Sequence, residues 1–291
     1  MSFAAALEAA RGRVERALEA AIMAEPAGPL REAMAHAALS GGKRLRAFLV
    51  IESARLHDVP AAAADRVAAA VECMHAYSLV HDDLPAMDDD DMRRGLPTVH
   101  VKWDEATAIL AGDALQALAF GIIAAPATPL PGAVRADLVA ALAEAAGPGG
   151  MVHGQMLDLA AESAPAPLTL ADITTLQAKK TGALIRFSAE AGARMGGADP
   201  TPLGRYAEAL GLAFQITDDI LDVEGDPVRA GKRVGKDAAR GKATFVSLLG
   251  LEGARARARA LVEEAQAALA PYGAKAAGLR EAAEFVISRD R

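Results

Sequence analysis

Apolar residues recur every three to four positions through most of the chain, in stretches separated by glycine and proline clusters. This spacing predicts helices over roughly 3–24, 30–40, 43–57, 61–82, 104–124, 132–146, 150–162, 169–195, 199–223, 243–250, 252–270 and 275–289. The breaks fall at Pro26–Pro29, Gly41-Gly42, Pro60, Pro85 to Pro97, Pro126–Pro131, Gly147–Gly150, Pro165–Pro167, Gly196–Pro202 and Gly225–Gly241. None is long or repetitive enough to act as a flexible interdomain linker. Several of the predicted helices are apolar nearly all round, which suits the middle of a large bundle rather than its skin. The expectation is an all-α chain, a single large bundle of about ten or more helices, forming one domain over residues 1–291.

Composition strengthens this picture. Aromatic residues make up only 4% of the 291 positions, and alanine, leucine, glutamate and arginine, all strong helix formers, dominate. A hydrophobic content of 52% is enough for a sizeable buried core. The formal net charge of −7 argues against non-specific binding to nucleic acid or to an anionic membrane. The one cysteine, Cys73, excludes an intrachain disulfide and fits a reducing compartment. Charges at Glu8, Arg11, Arg13, Glu15 and Arg16 are unlike a secretory signal. The best apolar run, Ala114–Ala125, is interrupted at Gln116 and preceded by Asp113, so no stable membrane insertion is expected. A soluble, cytoplasmic protein follows as the expectation.

Two aspartate clusters carry the candidate chemistry. The first runs from His81 through Asp82, Asp83 and Asp88 to Asp91, at the end of a predicted helix; the second is Gln215-Ile216-Thr217-Asp218-Asp219-Ile220-Leu221-Asp222, inside one. Helical spacing puts Asp218 and Asp222 on one face, and Asp82 on a face with Ser78 and His75. Acidic runs are commonly solvated surface, but both clusters adjoin strongly apolar sequence. Asp82 and Asp83 also meet the unfavourable end of their helix dipole, so they call for a counter-charge. Mg²⁺ suits that role, because it takes oxygen ligands, keeps several waters and bridges carboxylates to phosphates. A calcium EF-hand is excluded, since the run from Asp82 lacks the loop glycine and the terminal glutamate.

Cations are placed to match. Gly41-Gly42-Lys43-Arg44-Leu45-Arg46 opens a helix, where backbone N–H groups and the dipole join Lys43 and Arg46 in an anion site. Arg93-Arg94 follows the first acidic run, Lys179-Lys180-Thr181-Gly182 interrupts a helix, and Lys232, Lys236 and Lys242 lie in a Gly-rich loop. That loop is not a Walker A motif, because its glycine spacing is wrong and Ala243 replaces the required hydroxyl residue. Most of the six scattered histidines, His36 and His57 among them, carry no evident chemistry. Metal-binding carboxylates, phosphate-binding cations and an apolar interior together describe a site for a molecule with a diphosphate head and a hydrocarbon tail.

Specific motifs extend this reading. GGKRLR at 41–46, ECMHAYSLVHDDLPAMDDDDMRRGLPTVH at 72–100, LAGDAL at 110–115, GQMLDL at 154–159, KTGALI at 180–185, GLAFQITDDILD at 211–222 and GK…GKAT at 231–244 occur in one order. Through them the chain resembles the bacterial farnesyl diphosphate synthases of the trans-polyprenyl synthase family. The resemblance implies an isoprenoid-synthase bundle around a central apolar cavity, and a homodimer. It implies that Asp82, Asp88 and Asp218 ligate about three Mg²⁺ ions, with Mn²⁺ as the alternative ion, and that Asp83, Asp219 and Asp222 support them. The allylic diphosphate would be held by Arg93, Lys180, Lys232 and Lys242, with Thr181, Gln215 and a carbonyl near Lys180 facing the allylic cation. Isopentenyl diphosphate would be held by Lys43, Arg46, His75 and Arg94, and Tyr77 with Ser78 would set product length. Rival readings are a geranylgeranyl diphosphate synthase, a terpene cyclase and a non-catalytic synthase-like subunit. The second diphosphate-binding set argues against a cyclase, and the intact aspartate motifs argue against a non-catalytic subunit.

Overall fold

A computed structural model describes residues 2–164, 166–224 and 243–288, and the chain in it is almost entirely helical. It divides into two compact units, one of residues 1–140 with 191–198 and the other of residues 141–190 with 199–291. Lys232, Lys236 and Lys242 lie outside the described residues.

The first unit is built on α4 (Ala61–Asp82), which is buried on nearly every side by Val67, Val71, Cys73, Met74, Tyr77, Val80 and a set of alanines. Small side chains let neighbouring helices approach it closely. Around it pack α1 (Phe3–Met23), α2 (Pro29–Leu39), α3 (Leu45–Leu56) and α6 (Glu105–Ala124). Local signals start these helices where the sequence places them: the Ser2 hydroxyl accepts from Ala5 N, and the Asp104 carboxylate accepts from Thr107 N. Burial pushes the Cys73 thiol up to about 12, with the Glu72 charge adding to it and Arg44 opposing, so this cysteine is an inert core residue.

Periodicity misses one feature here. After α4 the chain forms a short antiparallel hairpin, β1 (Met92–Arg93) and β2 (Leu96–Pro97), followed by one turn of helix, α5 (Val99–Lys102). The two central residues, Arg94 and Gly95, have φ of 54° and 77°, the positive values that a two-residue hairpin turn demands.

Helix α6 also departs from expectation. Among the described residues it alone is long and apolar enough, by length and composition, to cross a membrane, with mean hydropathy 1.7. An uninterrupted-run criterion overlooks it because Asp113 and Gln116 break the run without lowering the average much. Ala108, Ala111, Leu115, Ala119, Ile122 and Ile123 of this helix are buried within the first unit. Packing against α4 therefore accounts for one apolar side of it.

The second unit is centred on α11 (Thr201–Glu224), whose Leu203, Tyr206, Leu210, Ala213, Ile216 and Ile220 are buried. It packs against α12 (Phe245–Ala268) and α13 (Ala277–Ser288), and the Tyr206 hydroxyl donates to Leu279 O at 2.8 Å. The expected break between helices 243–250 and 252–270 is present as a kink in α12 at Gly250, with φ 70° and ψ 161°. The predicted helix 169–195 is in fact α9 (Leu170–Gln177), a π-helical turn (Ala178–Gly182) and α10 (Ala183–Met195). That turn coincides with the Lys179-Lys180-Thr181-Gly182 interruption. The other α-helices among the described residues are α7 (Gly132–Ala146) and α8 (Met151–Glu162).

Candidate active site

In the first unit the C-terminus of α4 carries Asp82 and Asp83. Helix ends leave carbonyls without partners, and here the acidic loop folds back to satisfy them: Asp88 N donates to Asp82 O at 2.9 Å and Asp90 N to Asp83 O at 3.2 Å. This bond ties the backbone of Asp88 to that of Asp82. Asp89, at φ 51°, makes the reversal.

Asp83 has a different task from Asp82. It is only 3% exposed, and Arg93 grips it with Nε at 2.8 and 2.9 Å from the two carboxylate oxygens and Nη2 at 2.6 Å from one of them. Burial pushes the Asp83 carboxyl up, and the hydrogen bonds and charge of Arg93 pull it part of the way back. Burial works against the Arg93 cation too, but the charges of Asp83, Asp82 and Asp90 outweigh it. Arg93 is expected on sequence grounds among the diphosphate-binding cations. In this structure two of its three nitrogens are committed to Asp83, which fastens the hairpin to the end of α4. His36 fastens the other strand, with Nε2 at 2.8 Å from Pro97 O and Nδ1 at 3.2 Å from Lys102 Nζ. The sequence reading gave this histidine no task.

The cations Arg46 and Arg94 and the ring of His75 are drawn together, with Lys43 close by in the chain. Lys43 is exposed just before α3, Arg46 lies in its first turn, and Arg46 Nη1 is 3.4 Å from His75 Nε2. Arg94 reaches from the hairpin turn to donate to Gly41 O. Its guanidinium lies against Gly42, where a Cβ would meet it at 2.8 Å, and the φ of 114° there favours glycine. Burial first, and then the charges of Arg46, Arg94, Arg93 and Arg44, hold the His75 pKa well below the ordinary imidazole value. The ring is neutral, and its Nε2 accepts from Arg46.

A pH dependence follows. His75 stays neutral in the fold while the unfolded chain takes up a proton below about pH 6.5, so acidification stabilises the unfolded state. The thermal midpoint of the ligand-free protein is expected to fall more steeply from about pH 7.5 to about pH 5.5 than that of His75→Gln. Parallel curves would show that His75 ionises normally.

Tyr77 and Ser78 lie on α4 above Asp82. Tyr77 is 6% exposed, its ring stands edge-on to His81 at 5.6 Å, and its hydroxyl hydrogen-bonds Gln116 of α6. The Ser78 hydroxyl donates to His75 O at 2.9 Å.

In the second unit the π-helical turn lies between α8 and α11. A Cβ on Gly154 would come within 2.1 Å of Lys180 N, so α8 approaches this turn as only glycine allows. A Cβ on Gly211 would meet Gly182 Cα at 3.3 Å, and Gln215 stands one helical turn further along α11. Lys180 Nζ is 2.6 Å from Asp158 Oδ2, so Asp158, quoted within GQMLDL without a role, orients the expected catalytic lysine. The π geometry breaks the usual i to i+4 pairing beside Lys180 and Thr181, a feature common at functional sites. Asp219 Oδ2 accepts from Phe245 N at 2.7 Å, the first N–H of α12, a helix that Thr244 and Ser247 start with a capping box; Asp218 and Asp222 are half-buried one turn apart.

In each unit the donor chemistry fits a hard divalent cation: Asp82 and Asp88 in the first, and Asp218 and Asp222 in the second, offer only oxygen. Among the described residues no three His, Cys, Asp or Glu side chains close into a metal cage. Mg²⁺ does not require one, because it keeps several waters and shares phosphate oxygens.

The profile of the family described as polyprenyl synthetase matches residues 28–275. The chain belongs to the polyprenyl synthetase family. It is 47% identical to the farnesyl diphosphate synthase of Escherichia coli K12, covering 100% of both chains. With the farnesyl diphosphate synthase of Haemophilus influenzae it shares 43% identity over 99% of this chain and 98% of the other. The crystal structure of an FPP/GFPP synthase from Zymomonas mobilis superposes with a TM-score of 0.89 at 45% identity, covering 98% of this chain and 99% of that one. Both aspartate motifs and the basic cluster of this polyprenyl synthetase fall inside the matched residues.

Proposed function

We propose that this chain is a farnesyl diphosphate synthase, an Mg²⁺-dependent trans-prenyltransferase that condenses isopentenyl diphosphate with dimethylallyl and then geranyl diphosphate. The observation that carries this reading is the cluster of Lys43, Arg46, His75 and Arg94. It offers cations and a neutral imidazole, which suits a diphosphate that carries no metal. An enzyme acting on one diphosphate alone has no use for it. The names of the full-length relatives support the same activity.

Asp82 and Asp88 of the first unit would hold Mg²⁺, and Asp218 of the second unit would do so too, with Mn²⁺ the alternative. Bound there, the metal supplies neutralising charge to the departing pyrophosphate. The allylic C–O bond breaks with its electron pair going to pyrophosphate. Lys180, oriented by Asp158, adds a positive charge for that leaving group, as do Lys232 and Lys242. Oxygen dipoles of Thr181, Gln215 and the π-helical turn face the allylic cation. Lys43, Arg46 and Arg94 fix isopentenyl diphosphate so that its double bond attacks that cation. The attack leaves a tertiary cation on the isopentenyl unit. The carbon beside it, on the diphosphate side, loses a proton to a pyrophosphate oxygen while the C–H electron pair forms the new double bond, so no side-chain base is required.

Mixing the protein with Mg²⁺, dimethylallyl diphosphate and isopentenyl diphosphate is expected to release pyrophosphate and give a fifteen-carbon product by chromatography. Release from the allylic substrate alone, or no release at all, overturns the reading. Arg46→Ala is expected to raise the KM for isopentenyl diphosphate, and Lys232→Ala that for the allylic substrate, each by about ten- to a hundredfold. Equal effects on both substrates in both variants would sink the two-site assignment.

The same reading makes the enzyme a cytoplasmic homodimer. Ile109 and Leu110, 45% and 57% exposed on α6, give the first unit an apolar face that a second copy would cover. A monomer in sedimentation velocity overturns the dimer, and co-fractionation with membranes overturns the location.

A further inference from the structure

We infer that the buried Arg44–Glu72 ion pair is the positioning device for the isopentenyl diphosphate site; the inference rests on the two-site reading above. Sequence alone groups Arg44 with Lys43 and Arg46 as three cations of one motif. The structure separates them. Lys43 is exposed and Arg46 half-buried, whereas the Arg44 side chain is 2% exposed and turned into the first unit. Its backbone takes φ 50°, a left-handed conformation disfavoured by any side chain with a Cβ, and it is the residue that caps α3.

Two of its nitrogens hold it there, while Nε lies 3.9 Å from Glu15 Oε1 of α1 and makes no hydrogen bond. Arg44 Nη2 donates to Ala38 O of α2 at 2.6 Å, and Nη1 donates to Glu72 Oε2 of α4 at 3.1 Å. Glu72, itself 2% exposed, uses its other oxygen, Oε1, to accept Ala47 N at 3.1 Å in the first turn of α3. One buried guanidinium and one buried carboxylate thereby lock three helices at the point where Lys43 and Arg46 leave the backbone. Glu72 stands one turn before His75 on α4, so the pair also sets the spacing between the imidazole and Arg46. Neither charge is available to substrate. A buried pair of this kind is not required for stability, since apolar residues of like volume commonly replace one without loss. Its contribution here is geometric: it keeps Lys43, Arg46 and His75 on one anion.

The test is the double variant Arg44→Met with Glu72→Gln. It removes both charges together, and the glutamine oxygen still accepts Ala47 N. Steady-state kinetics with each substrate varied in turn, thermal melting, and Arg46→Ala as reference complete the set. The KM for isopentenyl diphosphate is expected to rise roughly tenfold or more, with the allylic KM within about twofold and a cooperative melt at a lower midpoint, since the introduced amide N–H groups and Ala38 O lack a partner. Arg44→Lys, which keeps the buried charge but not the fork, is expected to fall between the two, and it gives the same readout should the double variant fail to fold. An unchanged isopentenyl KM in a variant for which Arg46→Ala does raise it overturns the positioning role. If Arg46→Ala leaves that KM unchanged, the two-site reading has failed instead.

Discussion

Asp82→Ala and Asp218→Ala are each expected to lower turnover by at least about 10²- to 10³-fold while leaving a helical, cooperatively melting protein. The reason is electrostatic. Carboxylates that hold a divalent cation supply the charge that a departing pyrophosphate needs, and losing one such element removes stabilisation felt mainly in the transition state. Asp82 follows the last apolar turn of α4, and its carbonyl is bonded by Asp88 N, a contact that the substitution preserves. Asp83→Ala makes an instructive contrast. It strips Arg93 of its anchor and frees the hairpin, so a loss of stability should accompany the loss of rate. Turnover of either metal-site variant within about tenfold of the parent at saturating Mg²⁺ would show that the metal assignment is wrong.

The second large effect concerns product length. Tyr77→Ala is expected to shift the main product from fifteen carbons to twenty or more, with pyrophosphate release largely preserved. Tyr77 lies five residues before Asp82, roughly 7.5 Å along the helix axis. Its ring is buried between His81 and Gln116, so its loss opens space of an aromatic side chain's volume within the first unit. The metal and diphosphate contacts remain untouched. Tyr77→Phe keeps the ring and gives up only the bond to Gln116, so it should retain the parental product. Chromatography of dephosphorylated products under excess isopentenyl diphosphate reads both variants. A fifteen-carbon product from an active Tyr77→Ala enzyme would assign the stop to another residue. The loss of a buried aromatic costs about 3–5 kcal/mol, so assays belong well below the variant's melting range.

Helix positions were the easiest feature to read. The predicted ranges 61–82 and 132–146 coincide with α4 and α7, because alanine-rich apolar periodicity bounded by proline and glycine leaves one local solution. The segment 169–195 was also legible as interrupted, since Lys179 to Gly182 breaks the pattern. That the interruption is a π-helical turn was not, because it depends on Gly154 and Gly211 letting two other helices press against it. The hairpin at 92–97 was missed for a related reason. Four strand residues are too few to show alternation, and their geometry is enforced by Arg93 on Asp83 and His36 on Pro97, contacts that span 10 and 61 positions in sequence.

The sequence by itself determined the all-α class, the places where helices start and stop, and the residue types of the chemistry: paired aspartates and clustered cations. These follow from interactions within a few residues, which spacing and side-chain type encode directly. Only the tertiary structure decided which members of each motif are tied into the scaffold. Asp83 binds Arg93, Asp219 accepts the first N–H of α12, Asp158 orients Lys180, and Arg44 turns inward to Glu72 while its neighbours Lys43 and Arg46 do not. A charged side chain can be buried only if an opposite charge or a set of donors meets it there. That partner comes from an element distant in sequence, so the division between ligand and anchor appears only once the helices have packed.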